Sequence, residues 1–514
     1  MSSNATMASS HTFSQVREWI GILVLCSAML LTQSGLAQTV IPLPYIAETF
    51  NVQNSPGHQS WFTAAYSLTV GTFVLPSGRL GDMYGHVFMV KIGFAWFAIM
   101  EMIAGLIGQF SPSLVGFDVV RGLIGIGPAI LLPNAIAVLA RLNPPGSLSK
   151  MISFCIYAAT APNGFILGGV FSALLSRNPD LGWYWSFYIF AIVLLVVFIA
   201  TFFVIPSDKK IEERVASWPA KEELEAEHKR HFDPIGTLVG VSGLILFNFA
   251  WNQALVVGWP TVYVYVLLIV GVLLFVLFLF VEGRVKDPLV PLEVFQLKTS
   301  LVLGCIALGW SSFGTFVFYG VRFLEELRHH SPLTTVAQFI PCGVAGILAA
   351  FVSVFLLQKI SPAWVMLGAM CAFCAGNSLV ATMPIDQIYW IQIFIATAIT
   401  PFGMDMSFPS ASIIISDALP PHRQGTAGSL VNTIVNYSIA FGLGIAGTVE
   451  LQVNRNNTDV ERGIRGALYV GIGLAGLGIV CALTLLFVDK TKKQTQESKQ
   501  EKAVGSDQEE DQEG

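Results

Sequence analysis

Residues 183–206 read WYWSFYIFAIVLLVVFIATFFVIP, a stretch without one charged side chain. A helix rises about 1.5 Å per residue, so this stretch is long enough to cross the roughly 30 Å hydrocarbon core of a bilayer. Working outward from it, the chain shows fourteen apolar runs of spanning length. Before it lie 19–41, 59–80, 88–109, 113–140 and 151–175; after it come 234–253, 261–281, 299–320, 333–357, 363–383, 388–415, 425–448 and 467–488. Fourteen helices of about 20 apolar residues would need about 280, and the chain is 54 % hydrophobic over 514 residues. The fold class expected is all-α: a polytopic membrane protein with 14 transmembrane helices.

Charge excludes the main alternatives. Only 12 % of residues are charged, against about 25 % in soluble domains. Half the usual charge cannot cover a water-soluble particle of this size, which excludes an ordinary cytosolic enzyme. The net charge is −5, from 28 basic and 33 acidic residues. No basic face is left to neutralise phosphates, so no nucleic acid partner is expected. The seven cysteines all fall in apolar runs, so no disulfide framework is implied. Cys371 and Cys374 are spaced C-x-x-C with no acidic or His partner in their run; they read as packing residues, and no metal is expected.

Lys and Arg set the orientation, because cytosolic loops carry the excess. With the N-terminus in the cytosol, 21 of the 28 fall on the cytosolic side. Six fall outside (Arg177, Arg322, Arg328, Arg455, Arg462 and Arg465), and Arg121 alone lies in a run. Both termini are therefore expected in the cytosol. The first run holds a small-residue stretch, Gly35-Leu36-Ala37, but continues to Pro42 and reads as a span, not a cleaved signal. The expected organisation is a cytosolic segment 1–18, a six-helix bundle 19–206, a charged cytosolic loop 207–233, a two-helix linker pair with its loop 234–298, a second six-helix bundle 299–488 and a disordered acidic tail 489–514. The run Glu222 to Arg230 reads as a solvated helix face. No internal repeat is visible.

The turn after the second run reads Gly78-Arg79-Leu80-Gly81-Asp82-Met83-Tyr84-Gly85-His86. It resembles the signature G-x-L-x-D-x-x-G-[RK] of the major facilitator superfamily, and departs from it at His86 and Val87. Glycines permit a tight turn and close helix approach; the Asp82 carboxylate can cap a helix start or pair with an Arg. The resemblance implies a cytosolic latch at Gly78, Asp82 and Gly85. Arg121-Gly122 through Ala129 resembles the family's R-x-x-x-G-x-G-x-A. Pro162, Gly164, Gly168 and Gly169 resemble a loosened antiporter motif, in which Pro and Gly break and pack a helix. Trp61, Tyr66, 183–187 and 287–292 are similar to the fourteen-span drug:proton antiporters. Residues 248–253, 400–409 and 432–438 are similar to the fungal aminotriazole-resistance and boron-efflux transporters. The resemblance spans about 19–488; an Asp usual in the first span is replaced by Ala37.

An ionisable group in a membrane is costly and is a functional candidate. Arg121 has Asp118 one turn earlier on its helix. Glu101 lies in Met100-Glu101-Met102, where it can snorkel or stay protonated if the helix is peripheral. Asp417 reads as a cap, and Glu450 as interfacial. Asp405 sits mid-run between Pro401, Gly403 and Pro409, where an irregular helix is expected, and broken helices line transport sites. Gln33, Gln38, Asn248, Asn252, Gln253, Asn432 and Asn436 can line the same cavity or join helices. The proton and substrate pathway is expected at Asp405, Arg121, Asp118, Gln38 and Asn436. Neither a metalloprotease, a phosphate-loop nor a serine-elbow motif occurs, so the chain is expected to be no enzyme and to need no cofactor. Asn456 is an external glycosylation sequon; those at Asn4 and Asn436 should be silent.

The resemblance implies a secondary transporter using alternating access, with a small-molecule substrate and protons as partners. Proton-coupled export of a drug, toxin, metabolite or borate-like solute is expected, by a monomer in a lipid bilayer: the plasma membrane, or the vacuolar one. The alternatives are a uniporter or importer, or a transporter-like sensor.

Overall fold

The computed structural model describes residues 2–513 except 143–147, 179, 217–232, 286–287, 291–294, 419–423 and 455–458, and no side chains of 2–15, 148, 151, 155, 424–427 and 491–513. Asn456 and Glu222–Arg230 therefore lie outside the described residues. No β-strand occurs among those described. In chain order the helices are α1 (Ser2–Val40), α2 (Leu43–Thr49), α3 (Pro56–Tyr84), α4 (His86–Phe110), α5 (Leu114–Leu142), α6 (Leu148–Arg177), α7 (Tyr184–Val204) and α8 (Asp208–Ala216). They continue as α9 (Pro234–Val257), α10 (Val262–Glu282), α11 (Leu297–Arg322), a π-turn (Phe323–Leu327), α12 (Pro332–Gln338), α13 (Ile340–Lys359), α14 (Pro362–Ala381), α15 (Ile393–Ala418), α16 (Gln424–Val453) and α17 (Val460–Glu513).

Twelve of these segments are long and apolar enough to cross a membrane. Two further long helices, α3 and α15, fall outside that set. Their sequences explain why. Both are rich in Gly, Ser, Thr and Pro, and most of the residues of α3 and half of those of α15 are buried. A helix surrounded by other helices has no lipid to face, and small residues let its neighbours approach. The opposite composition belongs to α10, where Leu273 and Val276 are each 61 % exposed. Apolar side chains that open to the surroundings in such number mark a surface for lipid, not water.

The packing divides the chain. Helices α1 and α3–α7 pack on one another; so do α11 and α13–α17; the α9–α10 hairpin leans on α3 and α16. Between the two groups, α3 meets α16, and α6 meets α12 and α13. The first seam is made by glycine. A Cβ on Gly71 would stand 2.5 Å from the Tyr437 backbone nitrogen, and one on Gly78 would stand 3.0 Å from Ser429 Oγ.

Two expectations about helix breaks are corrected. Helix α6 runs unbroken through Pro162, and α15 through Pro401 and Pro409. A proline removes one backbone donor and crowds the carbonyl four residues earlier, but surrounding helices and Ser or Thr side chains compensate inside a packed bundle. The glycines of α6 serve packing. Cβ atoms on Gly164 and Gly168 would collide with the α1 backbone at Leu30 and Ser34; one on Gly169 would press on Val336 of α12.

Candidate functional site

Three buried polar clusters stand out among the described residues; the residues expected to form one pathway are split between the first two, with Asn436 in neither. The first is held inside the N-terminal group. Arg121 is fully buried on α5. Its Nε donates to the Phe62 carbonyl at 3.1 Å, and its Nη2 donates to the Gly35 carbonyl at 3.0 Å and to Thr39 Oγ1 at 3.3 Å. The guanidinium also lies 4.8 Å from the centre of the Tyr66 ring. Those acceptors, two carbonyls and one hydroxyl, belong to α1 and α3. Around Arg121 stand Glu101 of α4 and Asp118, the latter half-buried on its own helix. Gln38 donates to the Ser186 carbonyl at 3.3 Å and lies beside Glu101. Glu101 does not snorkel: its exposure is 0 %.

The second is the seam. Asp405 of α15 is half-buried, and its Oδ2 is buried with no hydrogen-bond partner among the described residues. It faces α13 and α6: Oδ2 lies 3.5 Å from where a Cβ on Gly346 would be, and Pro162 fills the same space. Cys342 is close enough to sense its charge. Asn163 of α6 reaches the Gly343 carbonyl at 3.5 Å. A small cavity of about 20 Å³ lies nearby, with Gln33, Pro162, Phe316, Phe339, Cys342 and Met404 in its wall. Asp405 therefore sits between the groups, while Arg121 sits inside one of them. No contact joins the two among the described residues. Asn436 bonds its own helix at the Asn432 carbonyl, 3.0 Å away, and belongs to neither cluster. Asn248 and Asn252 join α9 to α16: Asn252 donates to Asn248 Oδ1 at 2.7 Å and to the Ala440 carbonyl at 3.4 Å.

The third was not legible in the sequence. Arg322 at the end of α11 pairs with Glu450 of α16 at 2.7 Å and with Glu326 at 2.6 Å, and Tyr319 donates to Glu450 at 2.9 Å. Glu450, read as interfacial, is 1 % exposed, and Arg322 was counted among loop charges. Glu325, beside them in the π-turn, is buried with Oε1 unpartnered. The only sequence signal was Arg322 and Glu326 four residues apart, which marks a helical ion pair anywhere.

The turn between α3 and α4 forms as the signature suggests, with different partners. Gly85 adopts φ +98, which L side chains avoid. The α4 start is capped by Asp208 of α8, not by Asp82: Asp208 accepts from the Val87 and Phe88 backbone at 2.9 and 3.2 Å. A Cβ on Gly85 would meet that carboxylate at 2.5 Å. Asp82 instead lies 3.3 Å from His86 Nε2, while His86 Nδ1 is 2.8 Å from Asn134 Oδ1. Burial pushes the Asp82 carboxyl up, but His86, Arg141 and Arg79 outweigh it and hold it below its usual range. Arg79 donates to the Pro288 carbonyl at 2.6 Å, which ties the segment after the hairpin to this turn.

Comparison with known proteins agrees with this arrangement. The sequence profile of the Major Facilitator Superfamily matches residues 23–324, 232–442 and 299–508. The low affinity ammonium transporter of Saccharomyces cerevisiae is 47 % identical over 462 residues, 90 % of this chain and 87 % of that one. Efflux pump terJ of Aspergillus terreus is 42 % identical over 91 % of this chain and 87 % of its own. The aminotriazole resistance protein of S. cerevisiae is 35 % identical over 92 % of this chain and 84 % of its own. With an all-helical fold, membrane-length apolar helices and the turn signature in place, the chain is a multi-pass membrane transporter of the Major Facilitator Superfamily, with fungal efflux pumps among its relatives.

Proposed function

We propose that the chain exports a small molecule by proton-coupled alternating access, with fourteen spans arranged as six, two and six and both termini in the cytosol. The observation that carries this reading is Asp405. A coupled carrier needs a group that gains and loses a proton as the two halves exchange contacts. Asp405 stands at the α6–α13–α15 meeting, near the middle of its helix, with one oxygen unsatisfied. Any relative movement of the groups changes its surroundings first. The α3–α16 seam, dense with glycine, supplies the complementary sliding surface. The relatives named as an efflux pump and an aminotriazole resistance protein favour export.

The deciding experiment is efflux of aminotriazole from cells, with and without a proton uncoupler. Wild-type efflux should collapse with uncoupler, and Asp405→Asn should abolish the pH-driven component at unchanged membrane abundance. Unchanged proton-dependent efflux in Asp405→Asn would sink the assignment. A second reading, entry of a small solute, is favoured by the ammonium transporter at 47 % identity. It predicts that deletion slows growth on limiting ammonium and leaves aminotriazole tolerance unchanged.

A further inference from the structure

Glu101 is buried with no exposure, and neither of its carboxylate oxygens meets full hydrogen-bond geometry among the described residues, the Gln38 amide being the one donor beside it. It is not alone in this. Arg121 Nη1, Asp118 Oδ1 and Gln38 Oε1, all of the same cluster, also lack partners. The groups that face Glu101 are Arg121 from α5, Tyr66 from α3 and Gln38 from α1. Asp118 faces the same guanidinium. The α7 side contributes the Ser186 carbonyl, already taken by Gln38, and the Phe187 ring, 5.9 Å from Arg121. So a cation and a carboxyl are shut into one apolar pocket, and the cation spends its bonds on backbone carbonyls instead.

An ionised carboxylate without a donor and out of water costs several kcal/mol; the neutral acid costs far less. Arg121 has an unused N–H with which to compensate the ion, but it is held by Gly35 of α1, Phe62 of α3 and Thr39 of α1. Of those two helices, α3 meets α16 across the first seam, and α1 backs α6, which meets α12 and α13 across the second. A change at the seams therefore bears directly on the carbonyls that restrain Arg121.

We propose that Glu101 is a proton-carrying group of the transport cycle: it holds a proton in the conformation seen and releases it when Arg121 turns Nη1 to it. In that step the carboxyl O–H bond breaks, the electron pair stays on the oxygen, and the proton passes to water. Arg121 is a cation before and after. Asp118, half-buried one turn nearer the helix end, is the group through which water approaches. This proposal rests on the proton-coupled reading and adds a second site, inside one helix group, to Asp405 in the seam.

The test uses the full chain in phosphatidylcholine vesicles and infrared difference spectra across a pH titration, with no transported ligand. Wild type should show a protonated-carboxyl band that disappears on alkalinisation. The band should be missing in Glu101→Gln, present in Asp405→Asn, and shifted in midpoint by Arg121→Lys. A structural acid would keep its proton throughout; Glu101→Gln spectra whose titrating bands equal those of wild type overturn the proposal, the band that Asp405→Asn removes being that of Asp405. Should Glu101→Gln not reach the membrane, Glu101→Asp decides: a moved band or midpoint supports it, an unaltered one overturns it. The coupling reading is judged separately, by uncoupler on wild-type efflux. Insensitive efflux fells the coupling reading and the carrier role together, whereas coupled efflux with a silent Glu101 fells only the latter.

Discussion

At the scale of single residues, buried charge is the chief liability of this protein and its chief resource. Arg322 and Glu450 are both buried and joined at 2.7 Å, with Tyr319 completing the shell of Glu450. Removing one partner leaves the other without compensation in a place water does not reach, at a cost of about 3–5 kcal/mol. Glu450→Gln should therefore lower the melting temperature of the detergent-solubilised protein clearly, while Glu461→Gln should leave it in place. Glu461 is 45 % exposed in its pair with Arg465, and exposed pairs contribute little. An equal melting shift in the two variants would refute the contrast. Glu101 and Asp405 differ from Glu450 in having oxygens without partners among the described residues.

At the scale of elements, glycine decides how closely helices run. Gly71→Ala places a methyl group against the Tyr437 backbone, where nothing flexible can give way. The α3–α16 seam should open, with a loss of about 1–3 kcal/mol. Gly473→Ala meets nothing within 4 Å and should be neutral or stabilising by a few tenths of a kcal/mol through helix propensity. Thermal unfolding of the two variants side by side checks this; equal values would deny the seam its role. The turn between α3 and α4 carries a pH prediction. The folded-state value of Asp82 is depressed, so its contribution is present above the ordinary carboxylate range and is lost as pH falls through the folded value. Wild type should thus exceed Asp82→Asn in stability at neutral pH, and the two should converge in acid. A gap that persisted in acid would show that the loss came from geometry and not from charge. Transport by Asp82→Asn should fall while membrane abundance stays near normal.

At the scale of the whole molecule, the two helix groups meet along α3–α16 and along α6 with α12 and α13, and the α9–α10 hairpin leans on the first seam. Arg79, reaching the Pro288 carbonyl beyond the hairpin, makes the hairpin part of that seam's end and not an idle insertion. The topology proposed from Lys and Arg places this end in the cytosol. Reporters inserted at Lys221 and fused after Lys493 should both register the cytosol; a lumenal signal at either one would overturn the orientation. Glycan on Asn4 in place of Asn456 would do the same.

The sequence by itself determined where the long helices lie. An apolar run of about 20 residues in hydrocarbon must satisfy its own backbone, and only a helix does so within one segment. The fourteen helices of 20 residues or more among the described residues fall on the fourteen runs, and twelve of the segments they form are long and apolar enough to cross a membrane. The Gly85 turn was legible for a similar reason, since few residues adopt a positive φ. What only the tertiary structure decided is who meets whom. Asp82 could be a helix cap or an Arg partner by sequence, yet Asp208 caps α4 from more than 100 residues away. Arg121 and Asp405 belong to one expected pathway, yet one is enclosed in a helix group and the other stands between groups. Glu450 looked interfacial because it closes its run, yet Arg322 draws it inside. Helix formation depends on neighbours along the chain, which a sequence displays. The partner of a buried charge depends on helix rotation and on small residues distant in the chain, and these become visible only when the helices are packed.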